Sequence, residues 1–291
     1  MESRQPPLPT APLYTPYRNG RFRTAPDFHP LGTDLGAGPL DALLIQWDSA
    51  TAQILQDKAH ARALRPVWFP TPTLDHASAT AAANLIEFQR QRAAPADSPL
   101  PDLPDNPSAR LDVLGNSIPE DFAITVRAPD GNDRVAALHV SLPSRWDPAE
   151  KLALSFAQTH APVPGMNRIS PVATSLMDSV RTKGPQVRFT WGIAFNPDYD
   201  QHPAEGHPPF DGEHFWIRVE RQVLWPLEGT GAFLFTIRLH VHPGSVLVDD
   251  PDAASGLANA LRRMTPDERG YKGLVADADR VADWIERRIQ P

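Results

Sequence analysis

Residues 215–244, FWIRVERQVLWPLEGTGAFLFTIRLHVHPG, indicate the fold class. From residue 232 to 241 apolar and polar side chains alternate, which is the period of a β-strand with one buried face. The apolar set is Phe233, Phe235, Ile237, Leu239 and Val241, and the polar set is Thr236, Arg238, His240 and His242. The same period between residues 214 and 224 predicts a second strand, with Arg218, Glu220 and Gln222 on one face and Arg221 on the other.

Similar patterns extend through the rest of the chain. Alternation predicts three more strands over residues 122–126, 136–141 and 186–195, with a turn at 129–133 between the first two. Helical spacing of apolar residues predicts helices over residues 40–47, 52–64, 81–92, 147–160, 253–263 and 277–288. A single antiparallel sheet with helices before, within and after it is an α+β fold.

Composition excludes several classes of protein. The net charge of -7 argues against a nucleic-acid-binding surface, and the absence of cysteine excludes disulfides, thiolate nucleophiles and iron–sulfur clusters. No apolar stretch reaches the roughly 18 residues of a membrane span, and the N-terminus lacks the apolar segment of a secretory signal. We therefore predict a cytoplasmic protein that binds neither nucleic acid nor a membrane. Nucleotide-binding and hydrolase motifs are also absent.

Proline content suggests how the chain is divided. The 33 prolines are roughly twice the usual frequency, and many lie near the N-terminus. We predict an extended Pro-rich N-terminal arm over residues 1–39, for which a disordered tail is the alternative. Residues 40–110 are predicted to form a helical region and a linker packed on the core. The core itself is predicted over residues 111–250, followed by C-terminal helices over 251–291.

His160 is the first candidate functional residue. In the predicted helix over residues 147–160, Asp147 stands at the N-cap, while Leu152, Phe156 and His160 follow at four-residue steps. This spacing places His160 near the apolar face, from which its imidazole could bind a metal or a haem iron. The alternative is a histidine that interacts with the last carbonyl groups of the helix.

The two charged strands supply the other candidates. The row Arg218, Glu220 and Gln222 either lines a polar pocket or forms a solvated face with cross-strand ion pairs. His240 and His242, two apart on one strand face, could chelate a metal ion. The acids and histidines between residues 200 and 214 are possible further ligands, although their composition is also typical of a solvated loop.

Three segments together resemble a known protein family. They are SRWDPAEKLALSFAQTHAPVPG (144–165), RFTWGIAFNP (188–197) and IRVERQVLWPLEGTGAFLFTIRLHVHP (217–243). Their order is similar to the alpha subunit of haem-dependent oxidative N-demethylase, where a helix ending in I-H-x-P-V-P precedes an R-x-N-W strand and an E-R-Q-T-L-x-R-L-P-x-[ST]-G segment. LLIQWDSATAQILQDKAHARAL (43–64) and the pair Tyr271–Lys272 also fit, so the resemblance covers about residues 28–290.

The resemblance implies a PAS-like antiparallel sheet that holds haem b, whose iron activates O2. The implied reaction is oxidative demethylation of a small amine with release of formaldehyde, which tetrahydrofolate then traps. Electrons would come from NADPH through separate flavin-bearing reductase subunits, because this chain has no flavin or nicotinamide motif of its own. The alternatives are a haem-binding PAS-like sensor without turnover and a non-haem metal protein that uses His240 and His242.

The resemblance also suggests roles for individual residues. His160 becomes the expected iron ligand, with His240 as an alternative or second axial ligand. The other expected haem-binding residues are Phe156, Trp191, Arg218 and Arg221. Glu220 and Arg238 are the expected catalytic residues: a carboxylate suits the substrate ammonium, and arginines suit haem propionates or bound O2. Thr190 and Trp225 replace the Asn and Arg usual in the family, and these changes bear on substrate choice.

Overall fold

The alternating segments form one antiparallel sheet. The computed structural model describes residues 10–25, 27–35 and 41–289, within which the sheet has seven strands. They are β1 (His29–Pro30), β2 (Trp68–Pro70), β3 (Asp121–Arg127), β4 (Asp133–His139), β5 (Gln186–Ala194), β6 (Trp216–Leu227) and β7 (Ala232–Pro243). The order across the sheet is β1-β5-β6-β7-β3-β4-β2, so β7 is the central strand. The α+β prediction and its five strands are confirmed.

The described part of the chain also contains eight α-helices. They are α1 (Thr51–Leu64), α2 (His76–Ala93), α3 (Pro107–Asn116), α4 (Phe156–Thr159), α5 (Ala173–Lys183), α6 (Pro251–Arg263), α7 (Pro266–Lys272) and α8 (Ala278–Ile289). The helices predicted over 52–64, 81–92, 253–263 and 277–288 are confirmed as α1, α2, α6 and α8. Helices α3, α5 and α7 were not predicted. None of the described helices is long and apolar enough to cross a membrane.

The helix predicted over residues 40–47 is wrong in its described part. Residues 41–47 are not helical, and Leu40 lies outside the described residues. The carbonyl groups of Ala42 and Leu43 accept hydrogen bonds from the Arg221 guanidinium, at 2.7 and 3.3 Å. Because this backbone bonds to a side chain of the sheet, the apolar residues are buried by an extended segment and not by a helix.

The predicted continuous helix over residues 147–160 is also wrong. Pro148–Lys151 form a 3₁₀ turn, and only the four residues of α4 are α-helical. Between them Ala153 has φ +59°. Its N–H donates to the Val135 carbonyl at 2.9 Å, and the Val135 N–H donates to the Leu154 carbonyl at 3.0 Å. Residues 153–154 thus bond to the backbone of β4, which interrupts the helix.

The two faces of the sheet are covered differently. Helices α2, α3, α6 and α8 pack on one face, here called the helix face, where Ile86 and Leu111 lie in one cluster with Val223. Leu257 lies with Val219 in a second cluster on this face. The opposite face is here called the open face, and it carries the strand side chains that alternate with Val219 and Val223. It is covered by α5 and by the irregular segment of residues 144–172.

The described N-terminal residues lie against the core. Tyr14 and Tyr17 are buried, and the Tyr17 ring packs edge-to-face on Trp191 with a centroid distance of 5.7 Å. The guanidinium of Arg18 forms an ion pair with Asp250 at the start of α6. Residues before 10 lie outside the described part, so the extent of the predicted arm stays a prediction.

Candidate functional site

Side chains in the middle of the open face remain partly exposed. Ile237 on the central strand, Glu220 on β6 and Arg188 on β5 are all accessible to solvent. By contrast, Arg238, the neighbour of Ile237 on the helix face, has no exposed surface. The open face therefore keeps an accessible space around these side chains, beside residues 144–172. This space is called the open-face cleft below.

The strand register fixes which side chains form the floor of the cleft. Arg188 pairs with Gln222, Thr190 with Glu220, and Gly192 with Arg218. Directly paired residues of antiparallel strands project from the same face. The predicted grouping of Arg218, Glu220 and Gln222 on one face agrees with these pairs. The two-residue period of β5 places Arg188 on this face as well. The sequence analysis did not name Arg188 as a candidate.

His160 lies in the roof of the cleft at the C-terminal end of α4. Its ring packs on Phe156 with a centroid distance of 4.3 Å, and Phe156 packs on the buried cluster that contains Leu224 and Phe233. The Nδ1 atom lies 2.8 Å from the Phe156 carbonyl oxygen. Because a carbonyl only accepts, Nδ1 carries the proton and Nε2 keeps its lone pair. No described residue hydrogen-bonds Nε2.

Burial keeps this imidazole neutral. It lowers the pKa of His160 to about 4, and the positive charge of Arg188 contributes in the same direction. Between pH 6.5 and 4 the unfolded chain takes up a proton that the folded protein does not. The contribution of His160 to stability is therefore complete above pH 6.5 and is lost as the pH falls towards 4.

A histidine NMR titration of the cofactor-free protein tests this prediction. We expect one imidazole signal, absent from the His160→Gln variant, to titrate near pH 4. Urea unfolding at pH 7 and pH 5 should show a smaller loss of stability in this variant than in the wild type. Some loss remains in both, because burial also lowers the pKa of His139 and His240. Titration of His160 near 6.5 would contradict the prediction.

Glu220 is held in one orientation by two donors. The Ser144 hydroxyl donates to its Oε1 and the Gln222 amide donates to its Oε2, both at 2.6 Å. Arg218 donates to the carbonyl oxygens of Asp198 and Tyr199 at 2.8 and 3.0 Å, and also approaches Ser144 Oγ at 3.3 Å. Ser144 thus connects the two charged groups, a role that its sequence context did not indicate.

Four cationic side chains lie in the region of this carboxylate. Besides Arg218, they are Arg188, Arg145 and Lys272. Within the described ranges none of the four forms an ion pair with an acidic side chain. Burial lowers the pKa of each, to about 10 for Arg218. The ammonium of Lys272 instead lies 5.4 Å from the centroid of the Phe22 ring. Arg145 had no sequence signal, while Lys272 was indicated only by the family resemblance.

A sequence profile described as haem-dependent oxidative N-demethylase, alpha subunit-like, matches residues 72–282. The match spans more than two thirds of the chain and includes β6, β7 and His160. The chain belongs to this family. The resemblance inferred from the sequence motifs is therefore confirmed.

Several residues expected to act in the N-demethylase-like site lie on the helix face. Arg221 donates to backbone carbonyls of residues 42 and 43, and Arg238 pairs with Asp48 at 2.9 Å. Trp191 packs between Tyr17 and Phe22. The structure does not bring these three to the side chains of the open-face cleft, because adjacent residues of a strand project from opposite faces.

His240 is separated from His160 in the same way. Its ring packs edge-on against Tyr14 at a centroid distance of 4.9 Å, on the helix face. The sheet lies between the two imidazoles, so this arrangement does not allow both to bind one iron. His242 bonds the Pro12 carbonyl at 3.2 Å. Across the described residues no three His, Asp or Glu side chains are placed to hold a metal ion, so the predicted His240/His242 metal site is not formed there.

The family name implies a haem, and the open-face cleft has side chains suited to one. His160 presents an unpartnered Nε2 whose ring orientation is fixed by the Nδ1 hydrogen bond, the arrangement typical of metal-binding histidines. Phe235 and Ile237 offer partly exposed apolar surface on the central strand. Arg188 and Lys272 supply positive charge that matches the two carboxylates of a haem. By contrast, a cavity of about 440 Å³ between Arg62 and Trp68 lies outside this cleft and shares none of these residues.

Proposed function

We propose that the protein binds haem b in the open-face cleft, where His160 Nε2 would be a ligand of the iron. The observation that carries this proposal is the hydrogen bond from His160 Nδ1 to the Phe156 carbonyl at 2.8 Å. It fixes the tautomer in which Nε2 is an electron-pair donor, and the pKa of about 4 keeps that donor available at neutral pH. Membership of the family supports the same cofactor.

We further propose that the protein is the catalytic subunit of an oxidative demethylase. Bound haem would supply the activation of O2. The N-methyl carbon of a secondary amine is oxidised to formaldehyde, while O2, two electrons and two protons yield one molecule of water and the demethylated amine. The electrons require a donor outside this chain, and the family's description as an alpha subunit supports partner subunits. In this proposal those partners bear flavin and use NADPH.

In this proposal Glu220 positions the substrate amine. Its carboxylate stands in the middle of the cleft floor, and the hydrogen bonds from Ser144 and Gln222 restrict its rotation. A carboxylate held in this way accepts a hydrogen bond from an ammonium group without further loss of side-chain freedom. Arg238, which was the other expected catalytic residue, is assigned a structural role because its guanidinium pairs with Asp48 on the helix face.

Absorption spectroscopy of the purified protein tests this function. We expect hemin to give a Soret band that sharpens on reduction with dithionite and shifts when dimethylamine is added. The Glu220→Gln variant should bind hemin as the wild type does, but bind dimethylamine at least about tenfold more weakly, since the charge-assisted bond is lost. Failure to bind hemin would refute the cofactor assignment. A Soret band that does not respond to amines would favour the haem-sensor alternative.

A further inference from the structure

The open-face cleft carries more positive charge than a haem neutralises. Arg145, Arg188, Arg218 and Lys272 lie near Glu220, while Asp200, which also acts on Arg218, is paired with Arg65. These groups together leave a net charge of about +3 at neutral pH. The two propionates of a haem would reduce this to about +1. A simple dialkylammonium ion would raise it again, whereas a substrate that also carries a carboxylate would not. Uncompensated charge is costly in a partly desolvated site.

Arg145 forms the weakest hydrogen bond of the three arginines. Arg218 donates to two carbonyl oxygens, and Arg188 donates through Nε to Gln222 at 2.6 Å. The guanidinium of Arg145 makes one long contact, 3.4 Å from Nη1 to the Lys272 carbonyl. Among the described residues no acid pairs with it. Its remaining N–H groups can therefore form a two-point contact with a carboxylate.

The backbone holds Arg145 in an uncommon conformation. Its φ is +66°, in the left-handed region that non-glycine residues seldom adopt. The Arg145 N–H donates to the Gln201 carbonyl at 2.9 Å, and the Gln201 N–H donates to Pro143 at 3.1 Å. These bonds turn the chain directly after Ser144, the residue that donates to Glu220. Arg145 is thus the chain neighbour of the serine that holds the Glu220 carboxylate in place.

We propose that the substrate is an N-methylated amino acid, with Arg145 binding its carboxylate and Glu220 its amine. This inference rests on the proposed function, since it names the substrate class of the same site. Burial, followed by the charges of Arg188, Arg145 and Arg218, lowers the pKa of Lys272, and the contribution of these charges is consistent with an electropositive cleft. Arg145 is a specificity residue in this proposal and takes no part in holding the haem.

Calorimetric titration of the haem-loaded protein tests the substrate class. The probes are N-methylglycine and N-methylglycinamide, which share the methylamine and differ in the carboxylate, with dimethylamine as a third. We expect N-methylglycine to bind at least about tenfold more tightly than either neutral-tailed amine, as a charge-assisted two-point contact predicts. Arg145→Gln should abolish this preference and leave dimethylamine binding within about twofold, because Glu220 is unchanged. The matched control is Arg92→Gln, which replaces an exposed arginine of α2.

Two further measurements keep the outcomes separate. Arg145→Gly accommodates the positive φ without strain, so it should lose the preference even if Arg145→Gln folds poorly. Hemin uptake is recorded for every variant by its Soret band, which reports on the proposed function independently. If the protein binds hemin but binds N-methylglycine and its amide with equal affinity, the proposed substrate class is wrong and the proposed cofactor stands. If no hemin binds, the same titration is made with the cofactor-free protein. Equal affinities for N-methylglycine and its amide in that titration would also overturn the substrate class.

Discussion

Replacing His160 with alanine is expected to remove haem binding. The variant lacks the Nε2 atom that the proposal assigns to the iron. We expect hemin affinity to fall by at least about 100-fold, beyond the 10- to 100-fold that loss of a ligand's supporting hydrogen bond costs. Hemin titration followed at the Soret band measures this effect. Free imidazole should restore a histidine-like spectrum, because it can occupy the space that the side chain leaves.

Two other histidines serve as controls for this prediction. His214 lies on an exposed loop with 70% of its side chain accessible, so His214→Ala should bind hemin as the wild type does. His240 was the alternative ligand, and His240→Ala should also retain hemin because its ring lies on the helix face. If His240→Ala loses the Soret band while His160→Ala keeps it, the ligand assignment is reversed.

Replacing Arg238 with methionine is expected to destabilise the fold and leave the cleft intact. The Arg238 guanidinium has no exposed surface and lies 2.9 Å from Asp48. Removing one partner of a buried ion pair leaves an uncompensated charge, which costs about 3–5 kcal/mol. Urea unfolding of the cofactor-free protein measures this loss. The folded fraction should still bind hemin, since Arg238 faces away from the cleft.

A double variant separates lost pairing from lost packing. Asp48→Asn keeps the oxygen that accepts from the Ala50 N–H but removes the charge. We therefore expect Asp48→Asn/Arg238→Met to be more stable than Arg238→Met alone. The matched control is Arg23→Met, which breaks an exposed pair with Asp27 and should remain close to wild type. Unchanged stability with impaired amine binding in Arg238→Met would instead support a catalytic role.

Local patterns predicted the strands well because pleating is a property of each strand. The separation of Glu220 from Arg221 followed directly from the period of two, and the paired register is consistent with it. The family resemblance, and not the strand period, assigned Arg238 and Glu220 to one group of catalytic residues. Arg238 pairs directly with Arg221 and not with Glu220, so it shares the other face. Grouping residues between strands requires the register, which the sequence does not state.

Helix predictions failed where backbone groups had partners distant in sequence. The apolar spacing of residues 147–160 fits a helix, but Val135 of β4 bonds to residues 153 and 154 and interrupts it. Residues 41–47 likewise have helical spacing, yet their carbonyl groups bond to Arg221. In both cases a partner outside the segment replaced the intrahelical hydrogen bonds.

The sequence by itself determined the strand periods and the identity of the charged rows, and it singled out His160 as a candidate ligand. Only the tertiary structure decided which charges meet. Arg145 and Lys272 are 127 positions apart, yet both lie beside Glu220 and Arg218 in the cleft. Side-chain alternation is imposed by the backbone within a few residues, so the sequence reveals it. Compensation of a buried charge depends on groups that folding brings together from anywhere in the chain, and this arrangement exists only in the folded protein.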